Sequence, residues 1–363
     1  MEISGFKSLR IGSLIARVPI VQGGMGVGIS LSGLAAATAN AGGIGVIAAA
    51  GIGLLEPDGV QNFLEANIRG LRREIRRARE LTRESRGILG VNIMVALTDF
   101  AALVRKAIEE KIDIIFAGAG LPVNLPEYLV EGAHTMLVPI VSSGRAAVLL
   151  AKRWLDKYGY RPDAFVVEGP KAGGHLGFKR EQIEDPAYAL ERLVPEVVEA
   201  ILPFAGEHGP IPVIAGGGVY TGADIRTILD LGASGVQMAT RFVATEECDA
   251  SPDFKQTYLD AREGDLEIIS SPVGMPGRAI HNGFLEAVAQ GAKAPYSCPY
   301  HCIVTCDPAK APYCISLALR NAQMGRLGSG FAFAGANAWR VDRLVKVKDL
   351  VDELEAEYSK ARN

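Results

Sequence analysis

The chain alternates short, almost continuously apolar runs with longer stretches in which apolar residues recur at helical spacing. Runs without alternation are typical of strands buried on both faces of a parallel sheet. Eight such runs predict strands at Val18–Gln22, Gly45–Ala49, Leu89–Met94, Ile112–Ala117, Met136–Val141, Ala164–Val167, Pro212–Ala215 and Gly235–Met238. The intervening stretches predict helices at Ser32–Asn40, Val60–Arg83, Phe100–Lys111, Arg145–Tyr158, Leu190–Leu202 and Ala223–Leu231.

This regular succession of strand and helix predicts an α/β fold with parallel strands. Eight consecutive units favour a closed TIM (β/α)8 barrel over an open, doubly wound sheet. The glycines at Gly24–Gly28 do not have the Gly-x-Gly-x-x-Gly spacing of a dinucleotide-binding sheet, which also counts against the open form. We therefore expect a barrel over residues 1–245 and, packed on it, a cysteine-bearing C-terminal extension over residues 246–363.

Composition narrows the class of protein. With 363 residues, 48% of them hydrophobic, the chain can bury a large core, and a net charge of -3 argues against a nucleic-acid partner. The arginines between Arg69 and Arg83 alternate with apolar residues at helical spacing, which favours a solvent-facing side of a helix over an anion-binding patch. Residues 1–7 lack the layout of a secretory signal, and no apolar run is long enough to span a bilayer. We expect a cytoplasmic protein without a membrane partner.

A candidate catalytic residue follows the sixth predicted strand, in the sequence Ala172-Gly173-Gly174-His175. Glycine has no Cβ, so this backbone can approach a flat ligand closely. Barrel enzymes keep their chemistry at the carboxyl ends of the strands, where His175 is expected. We predict that His175 is catalytic, the alternative being a buried structural histidine.

A candidate phosphate site follows the seventh and eighth predicted strands. The seventh runs into Gly216-Gly217-Gly218, and the eighth ends at Gln237-Met238-Ala239-Thr240. Loops at these two positions of a barrel often bind phosphate, through glycine N–H groups and hydroxyls. The alternative is that the three glycines form only a tight turn.

Five motifs carry a family resemblance when taken in order: Pro19–Met25, Gly90–Asn92, Ala172–His175, Val213–Gly218 and Gly235–Phe242. Together they resemble the nitronate monooxygenase family, and the chain is also similar to the FMN-dependent enoyl-acyl-carrier-protein reductases. The resemblance implies FMN, bound without a covalent link, and His175 as the catalytic residue. It places Gly23, Gly24 and Met25 along the flavin ring, Asn92 at its edge and Gly173 at the ribityl chain. It places Gly217, Gly218, Gln237, Met238, Ala239 and Thr240 at the phosphate.

The chain departs from the family pattern at two positions. The family commonly has glutamine where this chain has Glu168, and glutamate where it has Lys171. A carboxylate beside the flavin would alter the local potential and pKa values, so Glu168 joins the predicted cofactor-binding residues.

The resemblance leaves the reaction open between two activities on a small-molecule substrate. The first is oxidation of alkyl nitronates or nitroalkanes with dioxygen, with His175 as general base, since the unperturbed pKa of histidine lies near neutrality. The second is NAD(P)H-dependent reduction of an enoyl thioester or a quinone. A non-catalytic flavin-binding protein is a third alternative, and an oligomer remains open.

The extension carries its own signals. Ser270–Arg278, rich in proline and glycine, predicts a loop folded over the barrel mouth, and Gly328–Trp339 predicts a cap over the flavin or a subunit contact. Val341–Tyr358 predicts a terminal amphipathic helix.

Four of the five cysteines fall between residues 298 and 314, at Cys298, Cys302, Cys306 and Cys314. Four thiolates can hold zinc or an iron–sulfur cluster. Their spacings match neither a zinc ribbon nor a ferredoxin, so reactive thiols and buried packing cysteines remain as alternatives.

Overall fold

The chain begins with a small hairpin that closes one end of the barrel. The computed structural model describes residues 5–207, 209–292 and 297–361. Residues 1–4 of the N-terminal segment, which lacks the layout of a secretory signal, lie outside the described residues. Strands β1 (Leu9–Ile11) and β2 (Leu14–Ala16) pair antiparallel. Leu9 and Ile11 are buried in one apolar cluster with residues near the start of the barrel strands. The hairpin therefore plugs the amino-terminal end of the barrel.

Eight parallel strands form a closed barrel in the order β10-β11-β3-β4-β5-β6-β7-β8. They are β3 (Ile20–Gln22), β4 (Ile44–Ala48), β5 (Ile88–Met94), β6 (Ile114–Gly118), β7 (Met136–Val141), β8 (Phe165–Glu168), β10 (Val213–Gly216) and β11 (Gly235–Met238). The ring closes where β11 pairs with β3, with Val236 opposite Ile20. Every predicted strand is confirmed to within two residues, and so is the TIM barrel.

Helices cover the outside of the barrel and continue into the extension. They are α1 (Ser32–Asn40), α2 (Phe63–Leu81), α3 (Phe100–Glu109), α4 (Gly144–Tyr158), α5 (Leu190–Ile201), α6 (Gly222–Asp230), α7 (Thr240–Val243), α8 (Pro252–Asp260), α9 (Gly283–Ala289), α10 (Ile315–Gln323) and α11 (Val347–Lys360). On α2, Leu71 and Ile75 are buried. On its outer side, Arg76 and Arg79 pair with Glu110 and Asp113.

The last helix belongs to the outer ring. Helix α11 packs between α6 and α1, at the position that follows the eighth barrel strand. Glu357 of α11 accepts a hydrogen bond from the N–H of Gly222 at the start of α6 (2.7 Å), and Glu353 pairs with Arg241. The division at residue 245 stays a prediction, and residues 347–360 share the helical layer of residues 1–245.

A second small sheet lies over the barrel mouth. It has three antiparallel strands in the order β12 (Leu266–Ser270), β13 (Pro276–Ile280) and β9 (Gly174–His175). The expectation of a plain loop over Ser270–Arg278 is wrong, since only the turn from Ser271 to Met275 is irregular. The prolines and glycines mark that turn, and β13 uses its backbone to pair with β9. Within the described ranges, the protein has no helix long and apolar enough to cross a membrane.

Candidate active site

A cavity of about 300 Å³ opens at the carboxyl ends of the barrel strands. Twelve of the thirteen predicted site residues line it: Gly23, Gly24, Met25, Asn92, Glu168, Gly173, His175, Gly217, Gly218, Gln237, Ala239 and Thr240. Met238 does not, because its side chain is buried in the barrel wall (2% exposed) and its carbonyl accepts a hydrogen bond from the N–H of Gly23. The structure thus brings together residues from six separate stretches of the chain.

Bare backbone forms much of the cavity wall. A Cβ on Gly24 would lie 2.4 Å from Cβ of Asn92, and one on Gly173 would lie 2.5 Å from the carbonyl carbon of Ala334. Gly217 and Gly218 have backbone φ angles of +99° and +103°, which residues with side chains rarely adopt. Only glycine fits at Gly24, Gly173, Gly217 and Gly218 without a collision or strain. Together these four residues form a concave stretch of bare backbone, the glycine cradle, whose space any side chain would fill.

The polar groups around this cradle suit a flat cofactor with a phosphate tail. Asn92 brings an amide from near the end of β5, and Thr240 brings a hydroxyl from the first residue of α7, just after β11. Asn337 donates a hydrogen bond to the carbonyl of Gly218 (2.6 Å), which fixes the glycine loop from the extension side. The donor set and the glycine cradle therefore fit FMN.

His175 lies in the loop after β8, on the two-residue strand β9. Pairing of β9 with β13 fixes its backbone, with Gly277 opposite His175. Its Nε2 lies 2.7 Å from Oγ of Ser271, and its ring packs at an angle of 64° against Phe333. Burial lowers the pKa of His175 to about 4. Its imidazole is therefore neutral at pH 7, and it is a weaker base than a histidine with the unperturbed pKa considered from the sequence.

Ser271 is a site residue that the sequence does not indicate. It is buried in the turn between β12 and β13, and its N–H donates to the carbonyl of Met275 (3.0 Å). The turn holds the hydroxyl beside the imidazole across 96 positions of sequence. A serine next to a proline has no local signal that would distinguish it from an ordinary turn residue.

Arg278 holds the loop that carries the histidine. Arg278 is only 5% exposed, and its side chain donates hydrogen bonds to the carbonyls of Pro170 (2.6 Å) and Ala172 (3.3 Å). Glu184 lies 3.6 Å from the same guanidinium. A buried cation is costly without partners, so these carbonyls and Arg278 fix one another. From the sequence alone, Arg278 is expected only at the end of a loop.

Glu168 ends β8 and faces the same cavity as His175. Burial raises the pKa of the Glu168 carboxyl from 4.5 to about 7. At neutral pH this carboxyl is therefore divided between its protonated and ionised forms.

The extension supplies the outer wall of the cavity. Its contributions include Phe254 and Tyr258 of α8, Ile315 and Leu319 of α10, and Phe333, Ala334 and Gly335. The Tyr258 hydroxyl donates to the carbonyl of Phe333, which anchors that segment. The segment Gly328–Trp339 thus contributes directly to the cavity, as expected of a cap.

The cysteine segment also reaches the cavity. Cys302 is buried and lines it, with Sγ 3.2 Å from Oγ of Ser316. Cys314 is buried as well, while Cys298 and Cys306 are half-buried. Among the residues that the structure describes, no group of three His, Cys, Asp or Glu side chains is placed to hold a metal ion.

Comparison with known proteins identifies the family. The model of the nitronate monooxygenase family matches residues 7–357, nearly the whole chain. A probable nitronate monooxygenase of Staphylococcus aureus is 26% identical over 308 residues, which cover 75% of this chain and 78% of the relative.

A second relative is named for a different activity. It is the (3aS,4S,5R,7aS)-5-hydroxy-7a-methyl-1-oxo-octahydro-1H-indene-4-carboxyl-CoA dehydrogenase of Mycobacterium tuberculosis, 29% identical over 276 residues. The match covers 76% of this chain but just under two thirds (66%) of the length of that dehydrogenase.

Solved structures agree on the fold. FabK from Thermotoga maritima superposes with a TM-score of 0.72 at 28% identity, covering 95% of this chain and 94% of FabK. Nitroalkane oxidase from Streptomyces ansochromogenes superposes with a TM-score of 0.71 at 24% identity, covering 95% of this chain and 96% of the oxidase. At that lower identity the oxidase bears on the fold alone. Its barrel, its glycine-lined cavity and the family match together show that the chain belongs to the nitronate monooxygenase family and is an FMN-dependent oxidoreductase.

Proposed function

We propose that this protein oxidises alkyl nitronates with dioxygen, using FMN bound in the cavity at the barrel mouth. The observation that carries the proposal is a neutral imidazole, His175, held by Ser271 in a cavity whose glycine wall fits FMN. The family match supports the same reaction.

The residues that would hold FMN divide along the cavity. Gly23, Gly24 and Met25 would lie along the flavin ring, Asn92 at its edge and Gly173 at the ribityl chain. Gly217, Gly218, Gln237, Ala239 and Thr240 would surround the phosphate, and Met238 acts only through its backbone. When bound, FMN supplies the redox chemistry, and the protein supplies orientation and proton handling.

His175 orients the substrate and serves as a weak base. Because Ser271 engages Nε2, we assign the contact with substrate to Nδ1. A pKa of about 4 makes this imidazole a poor acceptor of a carbon-bound proton at neutral pH. A nitronate has already lost its α-proton, so it needs orientation only. A neutral nitroalkane depends on proton removal by His175, so we expect it to react more slowly.

Glu168 responds to pH in this scheme. Below pH 7 its protonated carboxyl can donate a hydrogen bond to an oxygen of the anionic nitronate. Above pH 7 its ionised form repels that anion, because both groups share one buried cavity. We therefore assign to the protonated carboxyl a role in binding the substrate.

The overall reaction balances with two nitronates for each dioxygen. In each nitronate the carbon–nitrogen bond breaks, the carbon gains an oxygen from dioxygen, and nitrite leaves. Two nitronate anions and one dioxygen thus give two carbonyl compounds and two nitrite ions.

The proposal is tested by the stoichiometry of turnover. The holoenzyme is given a preformed alkyl nitronate, and dioxygen, nitrite and carbonyl product are measured against a matched FMN solution without protein. We expect enzyme-dependent formation of equal amounts of nitrite and carbonyl compound. Nitrite formation no faster than in free FMN would refute the proposal.

A second candidate is an NAD(P)H-dependent reductase of enoyl thioesters. FabK is similar over 95% of this chain, and the mycobacterial relative is named as a dehydrogenase of a carboxyl-CoA compound. The apolar side chains of Phe254, Ile315 and Leu319 would suit an acyl chain. His175 would then orient the thioester. Oxidation of NADH or NADPH that depends on an added 2-enoyl thioester would favour this candidate, and its absence would leave nitronate oxidation.

A further inference from the structure

Lys171 lies in the loop after β8 and lines the active-site cavity, with an exposed side chain. The aliphatic part of this side chain lies along the backbone of Gly218, because a Cβ on that glycine would be 3.1 Å from both Cβ and Cδ of Lys171. Gly218 belongs to the glycine loop after β10 that would surround the phosphate of FMN. The lysine is thus placed against the predicted phosphate site.

The extension fixes the backbone of Lys171 near a second predicted phosphate residue, Thr240. A Cβ on Gly335 would lie 2.8 Å from Oγ1 of Thr240 and 3.5 Å from the carbonyl oxygen of Lys171, so Gly335 lies between the two. The N–H of Ala336 donates a hydrogen bond to the same carbonyl (3.1 Å). The lysine therefore lies between the glycine loop and the start of α7.

Other residues hold the loops on both sides of Lys171. Asn337 donates to the carbonyl of Gly218 (2.6 Å), and Arg278 donates to the carbonyls of Pro170 and Ala172. These contacts use the backbone and do not involve the ammonium group of Lys171. A change of this exposed side chain should therefore leave the fold of the site intact.

No acidic side chain neutralises this lysine within the described ranges of the chain, where its ammonium group forms no ion pair. Glu168 lines the same cavity, but burial raises its pKa and no described cation lowers it. The positive charge of Lys171 is thus unused by the protein itself. A cation in this position attracts an anion to this end of the cavity.

From this placement we infer that Lys171 binds the phosphate of FMN and makes the site selective for the phosphorylated flavin. A phosphate monoester carries a charge of about −1.5 to −2 at pH 7. The N–H groups of a glycine loop offer dipoles to such an anion but no full charge, which the lysine would add. Its flexible four-carbon stem lets the ammonium group act as a point charge.

The position is also one of the two at which the chain departs from the family pattern, with lysine in place of the common glutamate. The charge beside the phosphate site is thereby reversed in sign. The inference rests on FMN binding in the cavity, as proposed above, and not on nitronate as the substrate. Its test measures binding without any substrate, so its failure would leave the proposed reaction untouched.

The experiment compares two flavins that differ only in the phosphate. Full-length protein is stripped of flavin and titrated with FMN and with riboflavin while the flavin fluorescence is followed. Lys171→Gln should weaken FMN binding about tenfold, the usual scale for a hydrogen bond to a charged group, and change riboflavin binding less than about twofold. Lys171→Glu should weaken FMN binding further, because two negative groups would then repel each other.

Lys179→Gln is the matched control. Lys179 is exposed in the same connection between β8 and α5, and it is not among the described residues that line the cavity. Its removal should leave the affinity for both flavins unchanged. Raising the salt concentration from about 0.05 M to about 0.5 M should weaken FMN binding to the wild type more than to Lys171→Gln, since salt screens exposed charges.

Three results would overturn the inference. One is an unchanged ratio of FMN affinity to riboflavin affinity in Lys171→Gln. Another is an equal loss of FMN affinity in Lys179→Gln, which would mean a general effect of net charge. The third is unchanged FMN binding together with weaker binding of NADPH or a coenzyme A thioester, which would assign the cation to a phosphate of the substrate.

Discussion

Replacing Glu168 with glutamine should remove the pH dependence of nitronate turnover around neutrality. Glutamine has nearly the same shape and keeps a hydrogen-bond donor, so the change removes only the ionisable proton. The wild-type carboxyl lies buried in the cavity with a pKa of about 7, against an ordinary 4.5. Between pH 6 and pH 8 it therefore passes from mostly protonated to mostly ionised.

The size of the effect follows from this titration. If only the protonated form binds nitronate productively, about nine-tenths of the enzyme is competent at pH 6 and about one-tenth at pH 8, for a pKa of about 7. The kcat/KM of the wild type should thus fall roughly tenfold over this range. The Glu168→Gln variant should vary by less than about twofold, because its amide does not titrate.

The assay measures initial rates with preformed nitronate, added fresh at each pH so that it does not reprotonate in the buffer. Bound FMN is quantified in every sample, which separates a change in turnover from a change in cofactor content. A tenfold fall that persists in Glu168→Gln would refute the assignment, since another group would then carry the titration. A wild-type rate that rises with pH would refute the predicted direction of the pH dependence.

Further predictions follow from the same geometry. Because folding raises the pKa of Glu168, the stability of the folded protein falls as pH rises from about 4.5 to about 7. In urea unfolding above pH 7, Glu168→Gln should be more stable than the wild type by up to about 3 kcal/mol. Equal stability of the two proteins above pH 7 would contradict a buried carboxyl at this position. His175→Asn should keep FMN and slow the reaction of neutral nitroalkanes by about a hundredfold or more, with a far smaller effect on nitronates, and equal losses would exclude a base role. Ser271→Ala should lower kcat/KM about two- to tenfold, because the imidazole of His175 loses the partner that positions it. Ser271→Thr, which keeps a hydroxyl, should restore the rate. An unchanged kcat/KM in Ser271→Ala would mean that Ser271 does not position His175. Gly24→Ala should reduce bound FMN at least tenfold, since its Cβ would collide with Asn92. The control Gly264→Ala should keep its FMN, because nothing lies within 4 Å of that Cβ. Equal FMN content in the two variants would contradict the role of the glycine-lined wall.

The barrel could be predicted because each of its strands carries its own local signal. A run such as Met136–Val141 is buried on both faces, so its composition alone indicates a strand in a parallel sheet. The glycines at Gly24 and Gly217 are visible in the sequence, but the residues whose contact requires them, Asn92 and Gly169, lie far away along the chain.

The chemistry at the mouth could be predicted only in part. The sequence indicates His175, but the partner that holds it, Ser271, lies 96 positions away on a turn that fits the mouth of the barrel only in three dimensions. The low pKa of His175 and the high pKa of Glu168 both result from burial by other segments, so no local motif reveals either. The sequence did not predict β12 and β13 either. Strand β13 begins with a proline and a glycine, which do not favour a strand, and it forms because it pairs with β12 on one side and with β9 on the other.

The central claim, that this protein would oxidise nitronates with FMN bound in the cavity, is tested most directly by anaerobic mixing. Purified holoenzyme is mixed separately with an alkyl nitronate, NADH and NADPH while the visible absorption of the flavin is followed. We predict rapid loss of the flavin absorption with nitronate and none with either pyridine nucleotide. Rapid loss with NADH or NADPH, and none with nitronate, would contradict the account and make the protein a pyridine-nucleotide-dependent reductase.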